Sequence, residues 1–156
     1  MLLATARSVR EERSKQRYAL QDFSLIRVSL VRGKSGWRIG SVENEQNAFL
    51  HPYATRPVRA SLLQIVKLVR QFIHGEEPHP ELYTDVRNAM RALMGAGDPA
   101  RIAEIFTLRL LHKLGYIAAD PVFETLLKDD EWLAVHEALP PEVSRAVARA
   151  LAASHL

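Results

Sequence analysis

The 156-residue sequence contains no cysteine, which excludes a disulfide framework and any zinc site built on thiolates. No apolar run approaches the ~20 residues that would span a bilayer. Arg7 interrupts the short run Leu2-Leu3-Ala4, which is too brief for the core of a secretory signal. There is no phosphate-cradling glycine loop, no nucleophile motif and no set of metal ligands at useful spacing. Repeats, low-complexity tracts and coiled-coil heptads are equally missing. These absences argue for a non-enzymatic protein without a cofactor, and they fit a cytoplasmic location.

What is present is the composition of a globular chain, 47% hydrophobic and 25% charged, long enough for one ordinary domain or two very small ones. The formal net charge of +3 is unevenly placed. Residues 1–38 hold nine Lys or Arg against three acids, whereas residues 39–156 hold twelve against fifteen. Such asymmetry points to an anionic partner for the first part of the chain.

The excess is concentrated in residues 6–20, where Arg7, Arg10, Arg13, Lys15 and Arg17 face only Glu11 and Glu12. Cations beside a small sheet suit a nucleic-acid backbone, because each one near a phosphate releases a condensed counterion. The other reading of the same run is a solvated loop or helix face. Residues 23–31 then alternate Ile26, Val28 and Leu30 with Arg27 and Ser29, the pattern of a half-buried strand. Gly33 and Gly36 supply a tight turn, and residues 37–43 return as a second strand. The hairpin offers Arg27 and Arg38 on its polar face and Arg32 and Lys34 at its tip. Trp37 could stack on a base or sit half-buried with its indole nitrogen satisfied at the rim; sharing a face with Ile39 favours the core role.

Residues 44–57 break the pattern and form the expected boundary, with Pro52 and Pro57 closing it. Three helices are predicted beyond it, over 60–73, 81–94 and 100–114. The first should bury Leu62, Ile65, Val66, Val69 and Ile73, and the second Leu82, Val86, Leu93 and either Ala89 or Met90. The third, capped by Asp98 and apolar over most of its circumference, should be central. Arg109 lies on its inward side and should pair with an acid on a neighbouring helix. Two short helices and a terminal one over 142–154 should follow, the last burying Val143, Val147, Ala150 and Leu151. His74 and His79 are expected in an exposed turn, His112 and His136 on helix surfaces. The neighbouring carboxylates Glu11-Glu12, Glu76-Glu77 and Asp129-Asp130-Glu131 are expected to be solvated.

Residues 4–25, continuing through Val28-Ser-Leu-Val-Arg-Gly-Lys34 into the Trp37 strand, resemble the RecO family of bacterial DNA repair proteins. In that family a basic loop leads into a Leu-Gln-x-Phe strand and a glycine-tipped hairpin. Gly75-Glu-Glu-Pro-His-Pro-Glu-Leu-Tyr83 resembles the family's turn between helices, and Phe106-Thr-Leu-Arg-Leu-Leu-His-Lys-Leu-Gly-Tyr116 its central helix. The resemblance implies an α+β protein: a partial N-terminal OB-fold of about three antiparallel strands over residues 1–50, then an all-α domain over 58–156. It also implies a non-catalytic recombination mediator that binds and anneals single-stranded DNA, with duplex DNA as a second ligand. Its partners would be RecR and the acidic tail of single-stranded-DNA-binding protein, in the service of loading the recombinase at gaps. The DNA-binding residues so expected are Arg7, Arg10, Arg13, Lys15, Arg17, Lys34 and Arg38. Cations on three helices, Lys67, Arg70, Arg87, Arg91, Arg109 and Lys113, could rim a pocket for such a tail.

Two features depart from the family pattern. Its members begin with two further strands before the position of Leu2, so either a later start or an open, pared-down sheet is expected here. Some members also bind zinc through four cysteines, which this sequence lacks. Two other function classes remain open from the residues alone: an adaptor whose helical half docks a partner, and a small RNA-binding protein.

Overall fold

A computed structural model describes residues 4–6, 15–34, 36–48, 50–52, 54–95, 97–128 and 138–154. The protein is α+β. Its sheet contains β1 (Ala4–Thr5), β2 (Ser24–Gly33) and β3 (Gly36–Asn47), with the short helix α1 (Lys15–Ala19) between β1 and β2. The hairpin forms where the alternating residues predict it. Gly33 pairs with Gly36 across the turn, and Gly36 adopts φ +114°, a conformation that L side chains rarely reach.

The strand order is β1-β3-β2. The expectation of three antiparallel strands is corrected in one respect: β1 runs parallel to β3, in the register Ala4↔Trp37 and Thr5↔Arg38. Residues 6–23 carry the chain from one edge of β3 to the other. A strand antiparallel to β2 but on the far side of β3 must run parallel to β3. The basic stretch, expected as a loop, also closes with the helix α1.

Two bulges shape the hairpin, and both place the extra residue in β3. At the second, Gly40 and Ser41 stand opposite Ser29. The Ser29 hydroxyl oxygen accepts from the Ser41 backbone N–H at 2.7 Å and bonds the Ser41 hydroxyl at 2.9 Å. A Cβ at Gly40 would meet that oxygen at 2.7 Å, so glycine is required by close approach.

The helical half comprises α2 (Arg56–Phe72), α3 (Pro80–Leu93), α4 (Pro99–Lys113), a 3-10 turn (Pro121–Phe123) running into α5 (Glu124–Leu127), and α6 (Pro141–Ala153). α2 starts a turn earlier than predicted, because Pro57 sits in its first turn, where its missing N–H has no intrahelical partner to lose. α4 is central as expected. The Asp98 side chain caps it by accepting from the N–H groups of Ala100 and Arg101, and nearly every residue from Ile102 to Leu111 is buried. α6 buries Val143, Val147 and Ala150 against this centre, with Leu151 half-buried. On α2 the prediction for Val66 is corrected: it is 38% exposed.

A buried ion pair locks α3 to α4. Arg109, 1% exposed, donates from Nε and Nη2 to Asp85 Oδ1 at 3.2 and 2.9 Å. Its Nη1 donates to the carbonyls of Leu126 and Lys128 at 3.0 and 2.8 Å, tying in the end of α5. Lys113 Nζ lies 2.9 Å from Asp85 Oδ2, close enough to pair but without hydrogen-bond alignment. The expected inward cation thus has its acid on the neighbouring helix. The sheet meets the helical core through Phe23 and Ala48, and Ala48 N–H donates to the Phe23 carbonyl at 3.1 Å.

Candidate nucleic-acid interface

β3 organises the cationic surface because both ends of the basic segment are fixed against it. Before the segment, Thr5 pairs with Arg38, and its hydroxyl donates to the Trp37 carbonyl at 3.2 Å. After it, Gln16 Nε2 donates to the Gly40 carbonyl at 2.9 Å, and Ala19 is buried. The chain therefore leaves β3 at Trp37–Arg38 and returns at Gly40, with residues 7–14 between. Arg7, Arg10 and Arg13 lie outside the described residues. Lys15 opens α1, and Arg17 is exposed on it.

Lys34 is exposed in the hairpin turn. Arg38 is half-buried and lies along the same end of the hairpin. Its Nε would stand 3.1 Å from a Cβ built on Gly33, so the guanidinium folds over the turn glycine. Lys34 and Arg38 thus lie at the same end of the hairpin, and Arg38 pairs with Thr5, after which the basic segment departs. Arg27 points elsewhere in function: it stands 3.7 Å from Glu43 across the ladder, both side chains being largely exposed.

Arg32 is a cation that the binding set omitted. It lies directly across from Trp37, with its guanidinium 5.5 Å from the ring centroid. Contacts of this kind contribute about 0.5–1 kcal/mol at exposed sites. The signal was available, since a two-residue turn between Gly33 and Gly36 forces residues 32 and 37 to face each other. Trp37 itself is half-buried, and its Nε1–H donates to Glu76 Oε1 at 2.9 Å. The expectation of a half-buried ring with a satisfied indole holds, but Trp37 is not part of the hydrophobic core. The expectation that Glu76 is merely solvated does not hold, because this exposed carboxylate ties the hairpin to the turn between α2 and α3.

In the helical half, Lys67, Arg70 and Arg91 are exposed, and Arg87 rests 5.8 Å from the ring centroid of Tyr83. Arg109 and Lys113 leave the expected pocket rim, since both are engaged by Asp85. α2 and α3 enclose a groove lined by Val69, Ile73, Leu82, Tyr83 and Val86. His74 and His79 are exposed in their turn, as expected. His112 is instead half-buried, with Nδ1 2.9 Å from the Ile117 carbonyl. His136, Glu11, Glu12 and residues 129–131 lie outside the described residues. Among the described residues no three His, Asp or Glu side chains gather as metal ligands, and no helix is long and apolar enough to cross a membrane.

Residues 59–119, which run from the first turn of α2 past the end of α4, match the family described as recombination protein O C terminal. Over these residues the chain is similar to the RecO family. It is 28% identical over 113 residues to DNA repair protein RecO of Desulfitobacterium hafniense, in both strain DSM 10664 / DCB-2 and strain Y51. These matches cover 72% of this chain and 41% of the relative, so the chain spans about two fifths of the length of those curated RecO proteins. A shorter stretch is 38% identical over 74 residues to acetyl-coenzyme A synthetase of Yersinia pestis strain Pestoides F, covering 44% of this chain and only 11% of that enzyme. The family match thus covers α2, α3 and α4 of the helical half.

Proposed function

We propose that this protein is a non-catalytic mediator of DNA repair and recombination that holds single-stranded DNA on its N-terminal half. The observation that carries the reading is the fixing of the basic segment at both ends on β3, next to the hairpin end that bears Lys34 and Arg38. On this reading Arg7, Arg10, Arg13, Lys15, Arg17, Lys34 and Arg38 contact phosphates. Such contacts position a strand without reading its bases, so sequence preference is weak. Strand alignment and annealing then follow from charge neutralisation alone, with no bond made or broken.

The helical half serves partners. The groove between α2 and α3 has an apolar floor with Glu77 and His79 in its lining, and Lys67, Arg70, Arg87 and Arg91 lie elsewhere on the same two helices. That chemistry suits an acidic peptide ending in an apolar residue, as in the tail of single-stranded-DNA-binding protein. RecR and recombinase loading at gaps belong to the same proposal, supported by the RecO relationship.

The test is a titration of the whole chain with single-stranded DNA, duplex DNA and RNA at rising salt. Tightest binding to single-stranded DNA, weakened steeply by salt, is expected. Equal or tighter binding to RNA would replace the reading with an RNA-binding one. Absence of salt-dependent binding to any of the three would leave the adaptor function of the groove. Calorimetry with a tail peptide should give micromolar affinity that Arg70→Glu abolishes.

A further inference from the structure

Arg32 lies next to the turn glycine Gly33 and directly across from Trp37. Alternation along the strands puts these two side chains on one face of the hairpin and Arg38, across from Val31, on the other. Exposed Lys34 sits in the turn between them. These cations therefore surround the end of the hairpin instead of sharing one face. Arg32 is also held in place. Its guanidinium stands 5.5 Å from the centroid of the Trp37 ring, a contact with the π-face that uses none of its N–H donors. Those donors keep the planar fork that fits a phosphate. The ring is fixed in turn, because its Nε1–H donates to Glu76 Oε1 at 2.9 Å. Glu76 comes from the turn between α2 and α3, so the helical half sets the orientation of a hairpin side chain. By its charge alone, an exposed carboxylate at this cationic end would weaken the binding of an anion. Its hydrogen bond acts in the opposite sense.

We propose that Arg32 is a further phosphate contact for single-stranded DNA, with Trp37 and Glu76 as its positioning residues. The inference rests on the reading of the N-terminal half as a DNA-holding surface. On binding, Arg32 stays on the indole while its N–H edge takes a phosphate oxygen, so little side-chain freedom is lost. The strand then passes round the end of the hairpin, from Arg38 by way of Lys34 to Arg32. One carboxylate of the helical half thereby contributes to DNA binding without touching the DNA.

The test measures the affinity of the whole chain for a single-stranded oligonucleotide as a function of salt. Arg32→Ala should reduce the slope by about 0.7 and weaken binding about fivefold at roughly 0.1 M salt, as loss of one phosphate contact requires. Glu76→Ala should weaken binding about twofold or more, although it removes a negative charge. Glu76→Gln keeps the acceptor oxygen and should bind at least as tightly as the parent. Trp37→Phe keeps a ring but loses the indole donor, and should resemble Glu76→Ala. In the Arg32→Ala background, Glu76→Ala should no longer weaken binding. Equal tightening by Glu76→Ala and Glu76→Gln would reduce Glu76 to a charge and overturn the positioning role, as would a weakening that persists without Arg32. A parent that binds DNA while Arg32→Ala leaves affinity and slope unchanged would overturn the inference and leave the reading of the surface standing. A parent without salt-dependent binding would remove both.

Discussion

The two halves of the molecule are held by different means. In the helical half an apolar core surrounds α4, and its one fully buried arginine has a carboxylate and two carbonyls as partners. In the sheet half no residue of β2 is buried, and order rests on backbone pairing, a serine-bridged bulge and a few side-chain ties. A helix bundle with a filled centre stands by itself. A small sheet, of three strands among the described residues, depends on what it touches. The difference suggests a division of labour, in which the helical half fixes the fold and the sheet half presents charge.

Substitutions should expose that difference. Asp85→Ala leaves the Arg109 guanidinium buried without its carboxylate and should cost about 3–5 kcal/mol in urea unfolding. Asp85→Asn, which keeps an acceptor, should cost less. Gly40→Val should cost about 1–3 kcal/mol, because its first carbon collides with the Ser29 hydroxyl. Hydrogen exchange should place the damage in β2 and β3 and leave α4 unchanged. Trp37→Phe removes the hydrogen bond to Glu76 and should cost about 1 kcal/mol. Its readout is faster exchange in the hairpin alone; equal acceleration in α2 and α3 would mean that the halves are one cooperative unit.

Much of this was legible from the residues. Alternation around Ile26, Val28 and Leu30, followed by two glycines, specified the hairpin, and an apolar circumference marked α4 as central. Arg109 could be read as an inward cation from its angle on that helix. Its partner was missed, although a signal existed: Asp85 occupies the buried stripe of Leu82, Ala89 and Leu93, where an acid needs a cation. The parallel pairing of β1 had no signal, since a two-residue strand carries no periodicity. Glu76 looked like ordinary surface charge because its donor, Trp37, lies far away in sequence. Val66 fits the apolar face of α2 by angle, yet it is 38% exposed. Charge density located the candidate binding segment, but only the fold places its two ends on one strand.

The central claim is that the opening cations hold single-stranded DNA and do little for folding. The decisive measurement compares the parent with a chain carrying Arg10→Glu, Arg13→Glu, Lys15→Glu and Arg17→Glu, in oligonucleotide binding as a function of salt. For the parent, neutralisation of about five phosphates gives a slope of log affinity against log salt near −3.5, at about −0.7 per contact. The variant should keep its stability within about 0.5 kcal/mol, since exposed charges contribute little to folding, and lose most of its binding. A folded variant that binds single-stranded DNA as tightly as the parent at moderate salt would contradict the account.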